Sequence, residues 1–297
     1  MNFNFNYRFA VVRRISKSLP EQSIRDFAPE NESPVDFELA NEQWDSYVSA
    51  LKSVKNLEVI ILDAEDDMPD CVFTEDTMVA VPSLENPGTT IVLVTNPARE
   101  SRRKEVIKVL QCLEKLNEEK NANIEIHCMQ EIDPLATLEG GDVQFTGTEI
   151  FVGNSTRTNS RGIEVMKKVF KNYDIHAIQV AGQLHLTCCL SLITPGVIAH
   201  GNTDDDKAII KEIKSKMVGN YEFVEVENDH ASNVVFLRDG DAGLVCLHGP
   251  KVQYPATKCY GVLVGVLDGL GVRRIEVNSE ELGKVDGCLS CCSVLIA

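Results

Sequence analysis

Apolar residues recur along the chain with two periods, one typical of helices and one typical of strands. Steps of three and four residues place apolar side chains on one stripe of a helix. The stripe is clearest in the segment 101–119, where Val106, Val109, Leu113 and Leu116 recur at this spacing. The pattern predicts four amphipathic helices and a weaker fifth one, at 39–56, 101–119, 161–172, 204–218 and near 253–267.

Two of these helices have candidate N-caps. Ser101 is available to cap the helix at 101–119, because a serine side chain can accept a hydrogen bond from a free N–H of the first turn. Thr203 can cap the helix at 204–218. The three aspartates that follow Thr203 supply negative charge where the helix dipole favours it.

Short apolar runs bounded by Gly, Pro and Asp predict strands between the helices. They lie at 57–63, 77–95, 143–153, 191–201, 234–247 and at the C-terminal end. Several have the order strand, turn, strand and helical stretch, which makes a weak internal repeat with a spacing of roughly 40 to 60 residues. The pattern fits ββαβ modules arranged around an axis in one domain, and it fits an ordinary open α/β sheet equally well.

Composition and charge exclude several classes of protein. The 297 residues allow one large domain or two ordinary ones, and 43% hydrophobic with 25% charged residues is typical of a compact soluble chain. The formal net charge of −16 argues against a general nucleic-acid or anionic-membrane binder, because phosphate binding needs a basic surface. The acidity is compatible with a cationic ligand or with a charge that serves solubility alone.

The chain shows no sign of export or membrane insertion. No secretory signal is visible at the N-terminus, and no run approaches the ~18 apolar residues of a membrane span. The ten cysteines form no matched pair of CxxC motifs, so we expect free thiols and a cytoplasmic protein. The adjacent pairs Cys188-Cys189 and Cys291-Cys292 suit neither a disulfide nor a structural zinc site.

Common catalytic motifs are absent, so candidate residues must be judged one by one. The chain contains neither nucleotide-binding glycine motif, no GxSxG and no HExxH. Cys291 lies between a small turn and an apolar strand, where a nucleophile can stay accessible while backbone N–H groups favour the thiolate. Buried, inert thiols are the alternative interpretation.

Histidine and carboxylate side chains occur in apolar surroundings. His185 is flanked by leucines, which is compatible with a hydrogen-bonded core histidine. Glu139 precedes two glycines and Asp142 at a sharp bend. A further set lies in an apolar run that favours burial, and buried carboxylates need a cation such as a guanidinium, from a structural arginine or from a ligand. This set consists of Asp70, Glu75 and Asp76.

Six motifs follow one another along the chain: PDCVFTED at 69–76, SRRKEV at 101–106, LEGGDVQFTG at 138–147, RTNSRG at 157–162, LHL at 184–186 and KVDGCLSCCSVLI at 284–296. In their order and approximate spacing, over nearly the whole chain, they resemble the dimethylarginine dimethylaminohydrolase family. The resemblance implies the pentein fold, a five-bladed pseudo-symmetric α/β propeller with its active site on the central axis, formed by a single catalytic domain over 1–297.

The resemblance implies a catalytic set of three residues. Cys291 matches the nucleophile and His185 the general acid/base. Glu139 matches the group that orients the imidazole; vertebrate members usually have Asp there, whereas related penteins have EGGD.

It also implies a substrate-binding set. Asp70 and Asp76 match carboxylates that bind the guanidinium, with Glu75 beside them. The remaining positions match contacts to the amino-acid end of the substrate: Arg102 and Arg157 to the α-carboxylate, and Ile24 and Val285 through backbone groups. Ile24 lies in the segment 16–36, which corresponds to the mobile flap of the family.

The implied reaction converts asymmetric dimethylarginine or monomethylarginine to citrulline plus dimethylamine or methylamine, through a covalent thiouronium on Cys291. By removing methylarginines it would relieve inhibition of nitric oxide synthesis. No cofactor is required, Cys291 beside an imidazole is a site for inhibitory zinc, and a monomer is favoured. Another guanidine-modifying pentein, such as an arginine deiminase or amidinotransferase, and an inactive methylarginine-binding pentein are the alternatives. A redox role for Cys292, next to the nucleophile, is a further hypothesis.

Overall fold

The structure, a computed structural model, describes residues 6–28, 32–227, 229–253 and 259–297. Residues 29–31 of the segment 16–36 and residues 254–258 of the weak fifth helix lie outside this range.

The described chain alternates short strands with helices. The helices are α1 Leu19–Gln22, α2 Phe37–Lys52, α3 Glu105–Lys120, α4 Met129–Ile132, α5 Ser160–Val169, α6 Leu186–Cys189, α7 Asp204–Lys216, α8 Asp229–Ser232, α9 Cys259–Gly269 and α10 Glu280–Gly283. The strands are β1 Phe9–Arg13, β2 Glu58–Leu62, β3 Met78–Pro82, β4 Thr90–Val94, β5 Ile124–Cys128, β6 Val143–Phe145, β7 Glu149–Asn154, β8 Asp174–Gln179, β9 Leu190–Thr194, β10 Val197–His200, β11 Glu222–Glu225, β12 Val235–Arg238, β13 Leu244–His248, β14 Arg273–Glu276 and β15 Ser293–Ile296.

The strands of the described residues form five three-stranded sheets with one repeated topology. In four of them an antiparallel hairpin is followed by a crossover helix and a third, parallel strand, as in the order β3-β4-β5 with α3 between β4 and β5. The fifth sheet joins the two ends of the chain, because β15 pairs antiparallel with β1 and β1 pairs parallel with β2. The prediction of repeated ββαβ modules around an axis is confirmed, and the alternative of one open sheet is wrong.

Alternate residues of the central strands pack into the cores on either side of their sheet. Ala10 and Val12 of β1 join one buried apolar cluster with α2, whereas Phe9 and Val11 join the next cluster with α3. Because successive side chains of a strand point to opposite faces, one apolar strand can serve two neighbouring modules. Each sheet is therefore covered on both faces.

The four clear helices predicted from periodicity are present, with shifted ends. The predicted cap is wrong for α3, which begins at Glu105, while Ser101 lies in a separate 3-10 turn, Glu100–Arg102. In this turn the guanidinium of Arg102 donates hydrogen bonds to the buried carboxylates of Asp76 and Glu105. Thr203 does cap α7, where it forms a capping box with Asp206.

The parallel outer strands β5, β8, β11 and β14 were not predicted. Most of their residues are partly or fully exposed, and β14 has exposed Arg273 and Glu276 at its two ends. Such strands depend on backbone pairing with a neighbour, so their own apolar signal is weak.

We predict that Thr203→Ala lowers the free energy of unfolding by about 1 kcal/mol, because the N–H of Asp206 at the start of α7 loses the Thr203 hydroxyl oxygen that accepts its hydrogen bond. Denaturant unfolding followed by circular dichroism measures the change. Thr203→Ser keeps the hydroxyl group and is expected to be close to wild type. Equal stability of the alanine variant would contradict the capping role.

Candidate active site

Each of the five sheets is preceded by a short helical turn, and these turns lie close together at the ring centre. Contacts join the turn before β3 to the turns before β6 and β15, and α6 to the turns before β6 and β12. The turns are Thr74–Thr77, Gly140–Asp142, α6, α8 and Ser290–Cys292. The repeat therefore places residues that are far apart in the sequence around one axis.

The turn before β6 positions His185 through Glu139. Glu139 is fully buried, and its Oε2 lies 2.8 Å from Nε2 of His185. The two glycines after Glu139 allow this approach, since a Cβ at Gly141 would lie 2.7 Å from Nδ1 of His185 and one at Gly140 would overlap the carbonyl oxygen of Glu75. The sharp bend with carboxylates that the sequence predicts is therefore present, and its two glycines leave the room that His185 and the backbone of Glu75 occupy.

His185 is held in its charged form by the surrounding carboxylates. Burial alone would lower the pKa of the imidazole, but the charge of Asp76 and hydrogen bonds with Cys188 and Glu139 raise it well above the usual value. Burial opposes ionisation of Glu139 as well, and the hydrogen bond and charge of His185 bring the pKa of Glu139 down to about 2. The pair is therefore an imidazolium and a carboxylate.

Asp142 fixes the turn that carries His185. Its Oδ1 accepts a hydrogen bond from the backbone N–H of Leu186 at 3.0 Å, and its Oδ2 accepts one from the hydroxyl of Ser155 at 2.6 Å. Burial raises the pKa of Asp142 to about 6 despite the charge of His185.

Arg102 holds Asp76 in place. Its Nη1 lies 2.6 Å from Oδ2 of Asp76, and its Nε and Nη2 form a fork on the carboxylate of Glu105. Nη2 also donates to the carbonyl oxygens of Asp70 and Phe73. All three nitrogens of this buried guanidinium are thus engaged by the protein.

Arg157 bridges Glu139 and the segment 16–36. Its Nη1 lies 3.3 Å from Oε1 of Glu139, and its Nη2 lies 2.6 Å from Oδ2 of Asp26. Asp26 also accepts hydrogen bonds from Nη2 of Arg99 at 2.9 and 3.0 Å. This carboxylate was not predicted from the sequence, because it lies two residues after Ile24 in a stretch without a local motif.

Other backbone contacts fasten the same segment over the site. The N–H of Ile24 donates to Oδ1 of Asp70 at 3.1 Å, and the N–H groups of Asp26 and Phe27 donate to the carboxylate of Asp286. Burial, the largest influence on Asp70, raises the pKa of this carboxyl group.

Cys291 lies in the turn before β15 with its sulfur favoured as thiolate. The thiol of Cys288 donates a hydrogen bond to this sulfur, and this contact, helped by a backbone N–H and by His185, lowers the pKa of Cys291 against the effect of burial. The adjacent Cys292 has the opposite character, because burial raises the pKa of its thiol well above the usual value.

One cleft collects most of the residues singled out from the sequence. Its free volume is ≈ 30 Å³. Its lining includes Ile24, Asp70, Asp76, Arg102, Arg157, His185, Val285 and Cys291. Glu139 lies behind His185.

Glu75 faces a different space. It lines a cavity of ≈ 170 Å³ and accepts a hydrogen bond from the hydroxyl of Ser290 at 3.1 Å. Burial and the charge of Cys291 raise the pKa of Glu75 well above its usual value. Although next to Asp76 in sequence, its side chain therefore lies beside the thiol turn and outside the lining of the cleft.

One group among the described residues has metal-ligating atoms within 4.8 Å of one another, formed by Asp76, Glu139 and His185. Their oxygen atoms already accept hydrogen bonds from Arg102, Arg157 and Gly141. In this state the cationic side chains balance the carboxylates.

None of the helices in the described ranges combines the length and apolarity needed to cross a bilayer.

Comparison with known proteins identifies relatives over most of the chain. A family model described as "N,N dimethylarginine dimethylhydrolase, eukaryotic" matches residues 21–243. An N(G),N(G)-dimethylarginine dimethylaminohydrolase of Streptomyces coelicolor is 31% identical over 288 residues, which cover 96% of this chain and 95% of the relative.

Solved structures show the same fold at lower identity. A dimethylarginine dimethylaminohydrolase variant from Pseudomonas aeruginosa in complex with citrulline has a TM-score of 0.72 and 20% identity, covering 98% of this chain and all of that one. The N-terminal domain of a cyanobacterial arginine dihydrolase, ArgZ, with bound substrate also has a TM-score of 0.72, at 16% identity and 97% coverage of both chains. The pentein fold implied by the sequence is thus confirmed.

We predict that Glu139→Gln lowers the pKa of His185 by about one to three pH units, because the imidazolium loses a carboxylate in direct contact. Titration of the labelled histidine ring by NMR measures the shift. Glu125→Gln, which alters an exposed Glu–His pair with His127, is the matched control and leaves the His185 titration unchanged. An unchanged pKa of His185 in Glu139→Gln would show that the carboxylate of Glu139 does not stabilise the imidazolium.

Proposed function

Because the chain belongs to the N,N-dimethylarginine dimethylhydrolase family, we propose that it hydrolyses N(ω)-methylated arginines to citrulline and dimethylamine or methylamine. The observation that carries the proposal is the cleft lined together by the Cys291 thiol, the His185 imidazole and the buried carboxyl groups of Asp70 and Asp76. An enzyme that hydrolyses a C–N bond of a guanidinium by covalent catalysis needs a nucleophile, a proton donor and groups that hold the guanidinium, and this cleft offers all three.

The carboxylates would bind and orient the substrate. A guanidinium carbon is a poor electrophile because charge and resonance are shared over three nitrogens. Asp70 and Asp76 line the cleft with Cys291 and can accept hydrogen bonds from guanidinium nitrogens, which fixes the plane of the group for attack. Arg102 supports this role by holding Asp76 from the other side.

Covalent catalysis would follow in two steps. The sulfur of Cys291 attacks the guanidinium carbon, and His185 protonates the departing methylamine or dimethylamine. The neutral imidazole then takes a proton from water as the water attacks the S-alkylthiouronium, releasing citrulline and restoring the thiolate. The raised pKa of His185 and the lowered pKa of Cys291 supply the starting protonation states.

The amino-acid end of the substrate would lie toward the segment 16–36. Arg157 is the better placed partner for the α-carboxylate, since Arg102 is surrounded by Glu105, Asp76 and backbone carbonyls. Ile24 and Val285 line the same part of the cleft and can offer backbone groups. Glu75 would act on the electrostatics of the thiol turn from outside this lining.

We further propose a single catalytic domain over the whole chain, a monomer, a cytoplasmic location and a role in relieving inhibition of nitric oxide synthesis by methylarginines. The pairing of β15 with β1 supports the single domain, because it joins the two ends of the chain in one sheet.

The test is a substrate panel with asymmetric dimethylarginine, monomethylarginine and arginine, with citrulline as the measured product. We expect turnover of the methylated substrates, and loss of at least about 10³-fold in kcat for Cys291→Ser because the nucleophile is removed. Cys128→Ser on β5 is the matched control and stays active. Arginine turned over equally well or better would favour an arginine deiminase. A Cys291→Ser variant as fast as wild type would contradict the mechanism.

Asp26 gives a second prediction. Its carboxylate occupies Arg157, so a substrate carboxylate has to displace it. Asp26 is about a quarter exposed, and such an ion pair is worth on the order of 1 kcal/mol, so Asp26→Asn is expected to lower KM for asymmetric dimethylarginine by roughly fivefold with little change in kcat. Asp133→Asn, which alters the exposed pair with Arg161, is the control with unchanged KM. A raised KM in Asp26→Asn would show that Asp26 assists binding.

Zinc is a proposed inhibitor, with Cys291 and the neutral imidazole of His185 as its ligands. A metal competes with the proton for a histidine nitrogen, and the pKa of His185 is raised. Inhibition by added zinc is therefore expected to strengthen as the pH rises and to be reversed by a chelator. Activity measured against zinc concentration at several pH values tests this; inhibition that weakens with rising pH would contradict the ligand set.

A further inference from the structure

A second cysteine, Cys288, lies three residues before the proposed nucleophile, in the order Cys288-Leu289-Ser290-Cys291. Both side chains are buried, at 6% and 8% exposure, so each is shielded from most of the solvent. Cys288 is the largest influence on the pKa of Cys291, which it lowers. The proposed mechanism uses Cys291 only, which leaves the role of the second thiol open.

The backbone brings these sulfurs to the same side of the turn. Leu289 has helical dihedral angles, the 3-10 turn Ser290–Cys292 follows, and the N–H of Cys292 bonds to the carbonyl oxygen of Leu289 at 3.3 Å. Residues three apart in such a turn have Cβ atoms about 5–6 Å apart, and a disulfide needs about 3.5–4.5 Å. A small adjustment of one turn is enough to join them.

Other thiols near the site are less well placed. Cys292 points away from the cleft, with its Sγ donating to the carbonyl oxygen of Cys288 at 3.4 Å, and a disulfide between neighbouring residues is strained. The thiol of Cys188 is directed to His185. This geometry favours Cys288 over Cys292, the residue considered from the sequence alone.

We propose that Cys288 is a resolving cysteine, which captures oxidised Cys291 as a reversible Cys288–Cys291 disulfide when a peroxide enters the cleft. The disulfide itself does not depend on the proposed function, whereas its effect on activity rests on it. A hydroperoxide oxidises this pair to the disulfide, and a dithiol reduces the disulfide again.

The chemistry balances in two steps. The Cys291 thiolate attacks one oxygen of hydrogen peroxide, so that an S–O bond forms, the O–O bond breaks and hydroxide leaves as water after taking a proton. The sulfur of Cys288, having lost its proton, then attacks the Cys291 sulfur, so that an S–S bond forms, the S–O bond breaks and a second water leaves. Peroxide is reduced by two electrons and the two thiols are oxidised by two.

The experiment exposes the full chain to equimolar hydrogen peroxide, alkylates the free thiols, and maps peptides without reduction. Trypsin cleavage after Lys284 gives a peptide, 285–297, that contains all three C-terminal cysteines. We expect this peptide to have lost two hydrogens and to carry one alkylated thiol. Cys292→Ala keeps the loss of two hydrogens, and Cys288→Ala and Cys288→Ser remove it; the serine variant keeps a hydroxyl donor and serves as the second variant if the alanine variant does not fold.

Recovery of hydrolysis is the second readout. After several equivalents of peroxide and then dithiothreitol, wild type regains activity, whereas both Cys288 variants recover at least about tenfold less, because a second peroxide oxidises the unprotected sulfenic acid of Cys291 to the sulfinic acid. Alkylated Cys288 beside oxidised Cys291 in the wild type, or an intact disulfide in Cys288→Ser, would overturn the proposal. Absence of any methylarginine hydrolysis before oxidation would instead reject the proposed function, and the peptide map would still decide the disulfide.

Discussion

Buried charges must be matched, and the site depends on this constraint. Asp76, Glu105 and Glu139 are almost fully buried, and the guanidinium groups of Arg102 and Arg157 lie among them. Removing one partner of such a pair costs about 3–5 kcal/mol, because an uncompensated charge stays in the interior. The same carboxylates raise the pKa of His185, whereas the lowered pKa of Cys291 comes mainly from Cys288, so the network at the ring centre sets the protonation state of the imidazole and not that of the thiol.

The repeated topology explains how this network is assembled. Each module contributes a short turn ahead of its first strand, and closure of the ring by β15 on β1 brings the first and last modules together. The position of Cys291 at the ring centre follows from this closure, because its turn, Ser290–Cys292, leads directly into β15. A residue near the C-terminus thus meets residues from the middle of the chain without a long loop.

The sequence predicts local features well and long-range pairing poorly. The stripe of α3 and the Thr203 cap are local, and periodicity finds them. The outer strands were not predicted because exposed residues at their ends, such as Arg273, weaken the apolar pattern. Backbone pairing with a neighbouring strand holds them in place. The pairing of Arg157 with Asp26 joins residues 131 positions apart and has no local pattern at all. For the site, motif order indicates which residues to examine, and only the folded ring shows which ones touch.

In the proposed mechanism, Cys291 attacks the guanidinium carbon and the methylated nitrogen leaves. Rapid acid quench during turnover, followed by mass spectrometry of the protein, tests it directly. We expect a transient adduct on Cys291 with the same mass from asymmetric dimethylarginine and from monomethylarginine, because the methylated nitrogen has already left. Citrulline formed with no adduct on Cys291, or an adduct that retains the methyl groups, would contradict it.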